Sequence, residues 1–223
     1  RFYLAAIELD PTFARAYAGL ALTYAADYRN RWAADGEAAT ARAVEIAQTA
    51  AGIDPTLPEV HWVLGYIAEQ QRHHDEAIAH LDRALTLEPG YADALALKGG
   101  IKTYLGDPGA TVALLRRAMR GNPAAGYLYF MVIGRAYFFL DDQVQALINL
   151  RAAAARNPSS LEVRVYLAAA LVRQGKVAEA EWEAEEIRAI KPDFSPAAWL
   201  DTYPMTDPRQ REQLRTALTA IGF

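Results

Sequence analysis

Apolar residues between positions 55 and 89 recur at the spacing of two amphipathic helices. The first pattern consists of Trp62, Leu64, Ile67 and Ala68, and the second of Ala77, Ile78, Leu81, Ala84 and Leu85. A polar segment, RHHD, separates them. Apolar side chains three or four residues apart share one face of a helix, so this stretch predicts a helix-turn-helix pair with one buried face on each helix.

Prolines repeat this unit along the chain. They occur at positions 11, 55, 89, 123, 158 and 192, with spacings of 44, 34, 34, 35 and 34 residues. Proline lacks a backbone N–H and clashes with the preceding helical turn, so each of these positions ends a second helix and starts the next pair. The pattern therefore predicts an all-α protein built from an internal repeat.

The repeat resembles the tetratricopeptide repeat, a helix-turn-helix unit of about 34 residues. The match consists of Leu64, Gly65, Ala77, Leu81, Ala84 and Pro89, and then of Ile133, Gly134, Tyr137, Ala146, Leu150, Ala153 and Pro158. The unit that ends at Pro123 fits less well, since Lys98 and Thr111 stand where leucine and alanine are usual. The resemblance covers residues 1–200, beginning in mid-repeat, and implies an α-solenoid: a right-handed superhelix of about five to six units with a C-terminal capping helix.

Small residues recur at one position of the first helices. These residues are Gly65, Gly99, Gly134 and Ala168. A small residue lets the two helices of a pair approach closely, while larger residues fill the space between neighbouring pairs. We therefore interpret this position as a packing position and not as a hinge.

One unit, residues 14–57, is ten residues longer than the others. Both helical patterns persist in it, so the insertion lengthens the inner ends of the helices or the loop between them. Trp32 lies in the insertion and is a candidate contact residue for a partner. The alternative is that Trp32 packs onto the neighbouring helix pair, as tryptophan side chains usually do.

Residues 201–223 break the repeat. Pro204 and Pro208 interrupt the chain, and Asp207 can cap a helix that has Pro208 at its first position. An apolar stripe follows at Leu214, Leu218 and Ile221. The last helix of a repeat array must be covered or polar outside, so we predict a kinked linker and a capping helix here, at the C-terminal end of the protein.

Composition narrows the range of functions. The formal net charge is -4, and the lysines and arginines are scattered, so the chain has no basic stripe that would hold a nucleic-acid backbone. No apolar run approaches the about 20 residues that span a bilayer. We therefore expect a cytoplasmic segment with no nucleic-acid or membrane partner.

Patterns of catalytic and metal-binding residues are also missing. The sequence has no G-x-x-x-x-G-K-[ST], G-x-S-x-G or H-E-x-x-H motif and no cysteine. His74 and His80 are six residues apart, which does not place two metal ligands on one helix face. The acidic run at residues 179–188 is interpreted as a solvated helix face. We expect this segment to be no enzyme and to hold no metal or cofactor.

Tetratricopeptide arrays line a concave groove with their first helices, and the resemblance implies which residues face it. The candidate partner-binding residues are Trp62, Tyr66, Glu69, Tyr104, Arg135, Phe138, Phe139 and Arg173. The aromatic residues would form a semi-apolar trough, in which Arg135 and Arg173 can take a carboxylate through forked hydrogen bonds. The alternative is that several of these residues pack on adjacent helices or on the chain's own C-terminus.

Three functions are compatible with this sequence. The first is a non-catalytic interaction module that binds a peptide or a partner domain in the groove. The second is a sensory or regulatory part of a cyclase or transcription regulator, because LDPTFARAYAGLALTYAADY and PDFSPAAWLDTYPMTDP are similar to C-terminal repeat regions of bacterial class III adenylate or guanylate cyclases and winged-helix regulators. That resemblance implies the C-terminal part of a larger bacterial signalling protein. The third is homotypic assembly, as a dimer or larger homo-oligomer.

Overall fold

The computed structural model describes residues 1–29 and 34–223. Within these residues the chain forms thirteen α-helices and no strand, which confirms the predicted all-α class. The helices are α1 Phe2–Leu9, α2 Ala14–Arg29, α3 Gly36–Ile53, α4 Pro58–Gln70, α5 His74–Leu87, α6 Ala92–Tyr104, α7 Pro108–Gly121, α8 Tyr127–Phe139, α9 Gln143–Arg156, α10 Leu161–Arg173, α11 Val177–Ile190, α12 Pro196–Thr202 and α13 Pro208–Thr219. None of these helices is both long and apolar enough to cross a bilayer.

The chain divides into two compact units, residues 1–98 and 99–223, with the boundary inside α6. In the first unit, α2, α3 and α4 share a core of small and medium-sized apolar residues. Its buried members are Ala18, Leu20, Ala21, Ala25, Ala43, Ile46, Ala47, Ala50, Val60, Val63 and Ile67. In the second unit, α8 packs on α9 and α10 on α11, and the two pairs meet through α9 and α10.

Proline ends the second helix of each pair, as the sequence predicts. The residue before each proline is the C-cap, and its φ lies between -143° and -130°. These residues are Asp10, Asp54, Glu88, Asn122, Asn157 and Lys191. The proline ring clashes with a helical residue in front of it, so this residue is held in the extended region while its N–H still bonds the last turn.

Three of the four small residues of the first helices face a leucine of the second helix, 16 positions later. The pairs are Gly65–Leu81, Gly99–Leu115 and Gly134–Leu150. A Cβ atom added to these glycines would lie 2.9, 2.5 and 2.8 Å from the leucine carbons, which is closer than van der Waals contact. The equivalent residues of α10 and α11 are Ala168 and Ala184, both buried, so the extra methyl group on the first helix is accompanied by a smaller residue on the second.

The pair α10–α11 also contains a buried ion pair. The interpretation of residues 179–188 as a solvated face is wrong for Glu183, which is 5% exposed. Its Oε2 accepts a hydrogen bond of 2.8 Å from Arg164 Nη1. Burial raises the pKa of Glu183, and the Arg164 guanidinium opposes that rise.

A left-handed residue recurs in the turns inside four of the helix pairs. The values of φ are 62° at Arg72, 84° at Gly106, 63° at Asp141 and 73° at Gly175. Glycine adopts this region without steric cost, whereas other residues lose roughly 1–2 kcal/mol there. The turn geometry therefore repeats with the helices, although only two of the four residues are glycine.

The longer unit extends both of its helices. α2 has 16 residues and α3 has 18, compared with 13 or 14 in each helix of the four pairs that follow. The Asp35 side chain caps α3 by accepting a hydrogen bond from Ala38 N. Trp32, the candidate contact residue of the insertion, lies outside the described residues.

The last part of the chain, residues 196–223, is called the tail below. α12 starts at the Ser195 cap and has only seven residues, and Tyr203 follows in an extended conformation. Asp207 caps α13, which has Pro208 in its first turn and packs on α10. The predicted apolar stripe of Leu214, Leu218 and Ile221 is buried. The predicted C-terminal capping helix is thus present.

We expect a methyl group at position 134 to strain the α8–α9 pair. Gly134→Ala should lower the free energy of unfolding by about 1–3 kcal/mol through overpacking against Leu150. Leu150→Ala should lower it by about 2–5 kcal/mol. The double variant should lose less than the sum, by at least about 0.5 kcal/mol, because the smaller side chain accepts the added methyl group.

Urea denaturation followed by circular dichroism measures these three values. The control is Gly52→Ala, because a Cβ at this exposed helical position meets no atom within 4 Å. It should be stabilising by roughly 0.5–1 kcal/mol through helix propensity. Strictly additive losses at positions 134 and 150 would contradict the packing interpretation.

Candidate functional site

Arg135 lies in the middle of α8 and is 1% exposed. Its Nη1 atom, which carries two hydrogens, has three oxygens within hydrogen-bond distance: Tyr203 OH at 2.6 Å, Tyr104 OH at 2.7 Å and Glu162 Oε1 at 2.8 Å. Tyr203 OH in turn donates to Glu162 Oε1. A buried charge is tolerated only when it is paired and hydrogen-bonded, and these three residues meet that requirement for Arg135.

Four helical segments of the second unit bring this cluster together. Tyr104 ends α6, Arg135 comes from α8, Glu162 lies in the first turn of α10, and Tyr203 directly follows α12. The N-terminal end of a helix favours a negative charge, which suits the carboxylate of Glu162. We refer to these residues, together with Tyr166 of α10, as the Arg135 cluster.

Aromatic rings enclose the guanidinium. Its carbon lies 4.3 Å from the centroid of the Tyr104 ring and 5.9 Å from that of Tyr166. The Tyr203 ring packs 4.3 Å from Trp199 and meets Tyr104 edge-on at 5.4 Å. Arginine over an aromatic face is attracted by the ring quadrupole, and the attraction grows when water is excluded.

Burial also determines the protonation states of the cluster. It would by itself lower the pKa of Arg135, but the oxygens of Tyr104, Tyr203 and Glu162 outweigh it and raise that pKa. Burial raises the pKa of Tyr203 and of Tyr166 as well. At neutral pH the cluster therefore contains the charged guanidinium of Arg135 and the neutral phenols of Tyr166 and Tyr203.

The tail makes further polar contacts beside this cluster. Thr206 N and Thr206 Oγ1 both donate to the carbonyl oxygen of Tyr104, at 3.3 and 3.2 Å. Met205, which directly precedes Thr206, is 2% exposed. Asp207 Oδ2 lies 3.0 Å from where a Cβ of Gly106 would be, so the next residue also contacts the turn after α6. Tyr203, Thr206 and Asp207 thus all contact the end of α6 or the turn after it.

The other predicted groove residues of the second unit are also engaged within it. Phe138 is fully buried, and Phe139 is half-buried beside Phe138 and Tyr166, with ring centroids 5.0 and 6.1 Å away. Arg173 Nη2 donates to Asp141 Oδ1 at 2.8 Å. Arg135 and Arg173, the expected carboxylate binders, are each already paired with a carboxylate of the chain. Their role in partner binding stays a prediction.

The predicted residues of the first unit lie along α4. Trp62 and Tyr66 are half-buried and stacked, with ring centroids 6.0 Å apart and planes inclined by 21°. Glu69 is 2% exposed and accepts a hydrogen bond from the Gln70 side chain. One turn before Trp62, Glu59 Oε1 forms an ion pair of 2.8 Å with Arg15 Nη2. This face combines exposed aromatic surface with charges of both signs.

The sequence pattern does not single out Glu162 or Tyr203. The available signal is the Tyr-Pro pair at positions 203–204, in the segment where the repeat stops. Tyr203 is 68 residues from Arg135 and 41 from Glu162, and local periodicity does not encode contacts over such separations. Within the described residues, no group of three or more His, Cys, Asp or Glu side chains could hold a metal ion.

Comparisons with known proteins identify the repeat. A family model of the tetratricopeptide repeat matches residues 58–91, the α4–α5 pair and the start of the next unit. A sequence comparison with curated proteins gives no match. The family model thus covers one helix pair of this chain.

Several solved structures share the fold. The APC/C hetero-tetramer Cut9–Hcn1 matches with a TM-score of 0.75 and 17% identity, covering 98% of this chain and 39% of that one. YrrB, a TPR protein with an unusual peptide-binding site, matches with a TM-score of 0.54 and 17% identity over 90% of this chain and 98% of its own. A thermophilic TPR protein of Thermus thermophilus matches with a TM-score of 0.63 and 17% identity over 89% of this chain and 99% of its own.

These matches support a tetratricopeptide repeat array with an α-solenoid fold. The chain spans 39% of the length of the Cut9–Hcn1 chain that it matches. Identities of this size show the fold alone.

We expect the Tyr203 hydroxyl to stabilise the second unit. Tyr203→Phe keeps the ring against Trp199 but removes the group that accepts from Arg135 and donates to Glu162. The free energy of unfolding should fall by about 1.5–3 kcal/mol, the usual loss for hydrogen bonds to charged groups. The control Tyr127→Phe, at a half-buried position outside the cluster, should change it by at most about 0.5 kcal/mol. Equal urea midpoints for both variants would contradict the assignment.

Proposed function

We propose that this tetratricopeptide array is a non-catalytic interaction module that binds a protein partner through the face of its first helices. The repeat fold supports an interaction scaffold, because stacked helix pairs present a long surface at little cost in conformational change. The observation that carries the proposal is the stacked Trp62–Tyr66 pair on α4, which packs on the core of the first unit and keeps part of its surface exposed. Exposed aromatic surface of this kind marks contact sites.

The chemistry of this face favours an extended peptide. Glu59, Trp62, Tyr66 and Gln70 are three or four residues apart and therefore lie on one side of α4. The side chains of Arg15 and Glu59 are 61% and 33% exposed, so both charges are open to a ligand. An apolar side chain of the peptide can pack on the two rings. The peptide backbone or its polar side chains can then form hydrogen bonds with the Arg15–Glu59 ion pair at one end of α4 and with Gln70 at the other.

The regulatory context belongs to the same proposal. The amino-acid sequence of residues 9–28 and 192–208 resembles that of C-terminal repeat regions in bacterial class III cyclases and winged-helix regulators. We infer that the array is the regulatory part of a larger bacterial signalling protein. In such a protein, binding of a partner to the α4 face would be the event that regulates the rest of the protein.

Site-specific photocrosslinking tests the α4 face. p-Benzoylphenylalanine at Tyr66 replaces one aromatic residue by another and should capture one discrete partner in cells. The matched control places the same group at Arg83, an exposed residue of the second helix α5 in the same unit. We expect the crosslinked band from position 66 and its loss in the Trp62→Ala background. Equal labelling from both positions would count against a specific site on α4.

A further inference from the structure

Residues 203–207 have the features of a bound peptide. Tyr203 has an extended backbone directly after α12, its ring inserts into a buried polar cluster, and Thr206 N bonds a main-chain carbonyl. We propose that the Arg135 cluster is a binding site for an extended, tyrosine-bearing segment of a partner protein, and that residues 203–207 occupy it as an intramolecular ligand.

The polar groups of the cluster select a neutral phenol. The Tyr203 hydroxyl accepts a hydrogen bond from Arg135 and donates one to Glu162, so it serves a donor and an acceptor at once. A phenylalanine ring would fill the space but leave both charged groups short of one hydrogen bond. A carboxylate or phosphate would satisfy Arg135 but be repelled by Glu162, which lies 2.8 Å from the same nitrogen. The site is therefore unsuited to the carboxylate ligand that Arg135 alone suggests.

Residues after the tyrosine are recognised less specifically. Thr206 binds Tyr104 O through its backbone N–H as well as its hydroxyl, and any residue but proline can make the first of these bonds. Met205 adds a buried apolar side chain. The ligand is thus a tyrosine followed by an extended backbone with an apolar residue two positions later.

The tail is placed to compete with such a ligand. α13 packs on α10, and its residues Leu214 and Leu218 are fully buried, so residues 203–207 stay tethered next to the cluster. A tethered ligand has an effective concentration in the millimolar range, which an external segment must exceed.

Arg135 Nε is buried and meets no hydrogen-bond acceptor in the described part of the chain, so the guanidinium retains donor capacity.

This inference rests on the proposed function, since it assumes that the array binds peptide segments. It concerns residues of the second unit only, whereas the crosslinking experiment at Tyr66 reports on α4 in the first unit. Failure of peptide binding at the Arg135 cluster would leave a positive result at Tyr66 intact.

Fluorescence anisotropy with a labelled peptide of residues 201–209 tests the proposal. The protein is the full chain, either unchanged or carrying Tyr203→Ala, with folding checked by circular dichroism. The peptide should bind the Tyr203→Ala chain about tenfold to a hundredfold more tightly than the unchanged chain, because the Tyr203 phenol of the chain no longer competes with the tyrosine of the peptide. Peptides with phenylalanine or phosphotyrosine in place of tyrosine should bind at least about tenfold more weakly.

Two results would overturn the proposal: equal affinity of the unchanged chain and the variant, or equal binding of the tyrosine and phenylalanine peptides. If Tyr203→Ala does not fold, 3-fluorotyrosine at position 203 of the otherwise unchanged chain gives a second measurement. Excess peptide should move its fluorine resonance from the buried to the solvent-exposed position. An unmoved resonance at saturating peptide would also overturn the proposal.

Discussion

Close approach of two helices at a residue without a side chain is the contact on which the repeat depends. Gly65, Gly99 and Gly134 each receive a leucine of the second helix at a distance that leaves no room for a Cβ atom. Because dispersion and apolar burial both require such contact, the pairing of helices is specific at these positions. The α10–α11 pair has alanine on both helices and adds a buried Arg164–Glu183 ion pair, so the spacing persists with different chemistry.

A buried charge organises the second unit in a different way. Arg135 is almost fully enclosed, and an unpaired guanidinium there would cost several kcal/mol. The chain compensates with one carboxylate and two phenols from three other segments, one of which is the tail. Residues 203–207 thus supply hydrogen bonds that the repeats alone do not contain, and α13 packs on α10 in addition.

The predicted groove residues consequently have two different environments. In the second unit, Tyr104, Arg135 and Phe138 are buried, and the tail contacts the first two. In the first unit, Trp62 and Tyr66 are partly buried on the core and keep some exposed surface on the helix that also carries Glu59 of an accessible ion pair. A position on the first helix of a repeat therefore does not by itself define a binding residue, since the segment that covers it decides what it can contact.

Much of the fold follows from the sequence alone. Proline spacing located the helix ends, because the residue before a proline is barred from the helix by local sterics. Glycine and leucine spacing located the packing positions, and Asp207-Pro208 located the start of α13. The left-handed turn residues were harder to predict from the sequence. Arg72 and Asp141 have a positive φ, and glycine is the residue type that usually indicates this conformation.

The partners of Arg135 were decided by tertiary structure. The resemblance to the tetratricopeptide repeat placed Arg135 on a face expected to meet a ligand, whereas local periodicity reports only which face of a helix is apolar. Local periodicity does not indicate which distant residues contact Arg135: Glu162 is 27 residues away in the sequence and Tyr203 is 68. Whether that face stays open or is filled by the chain itself depends on the path of the tail. The cause is physical, because the free energy of burying a charge depends on all its neighbours in space and not on its neighbours in sequence.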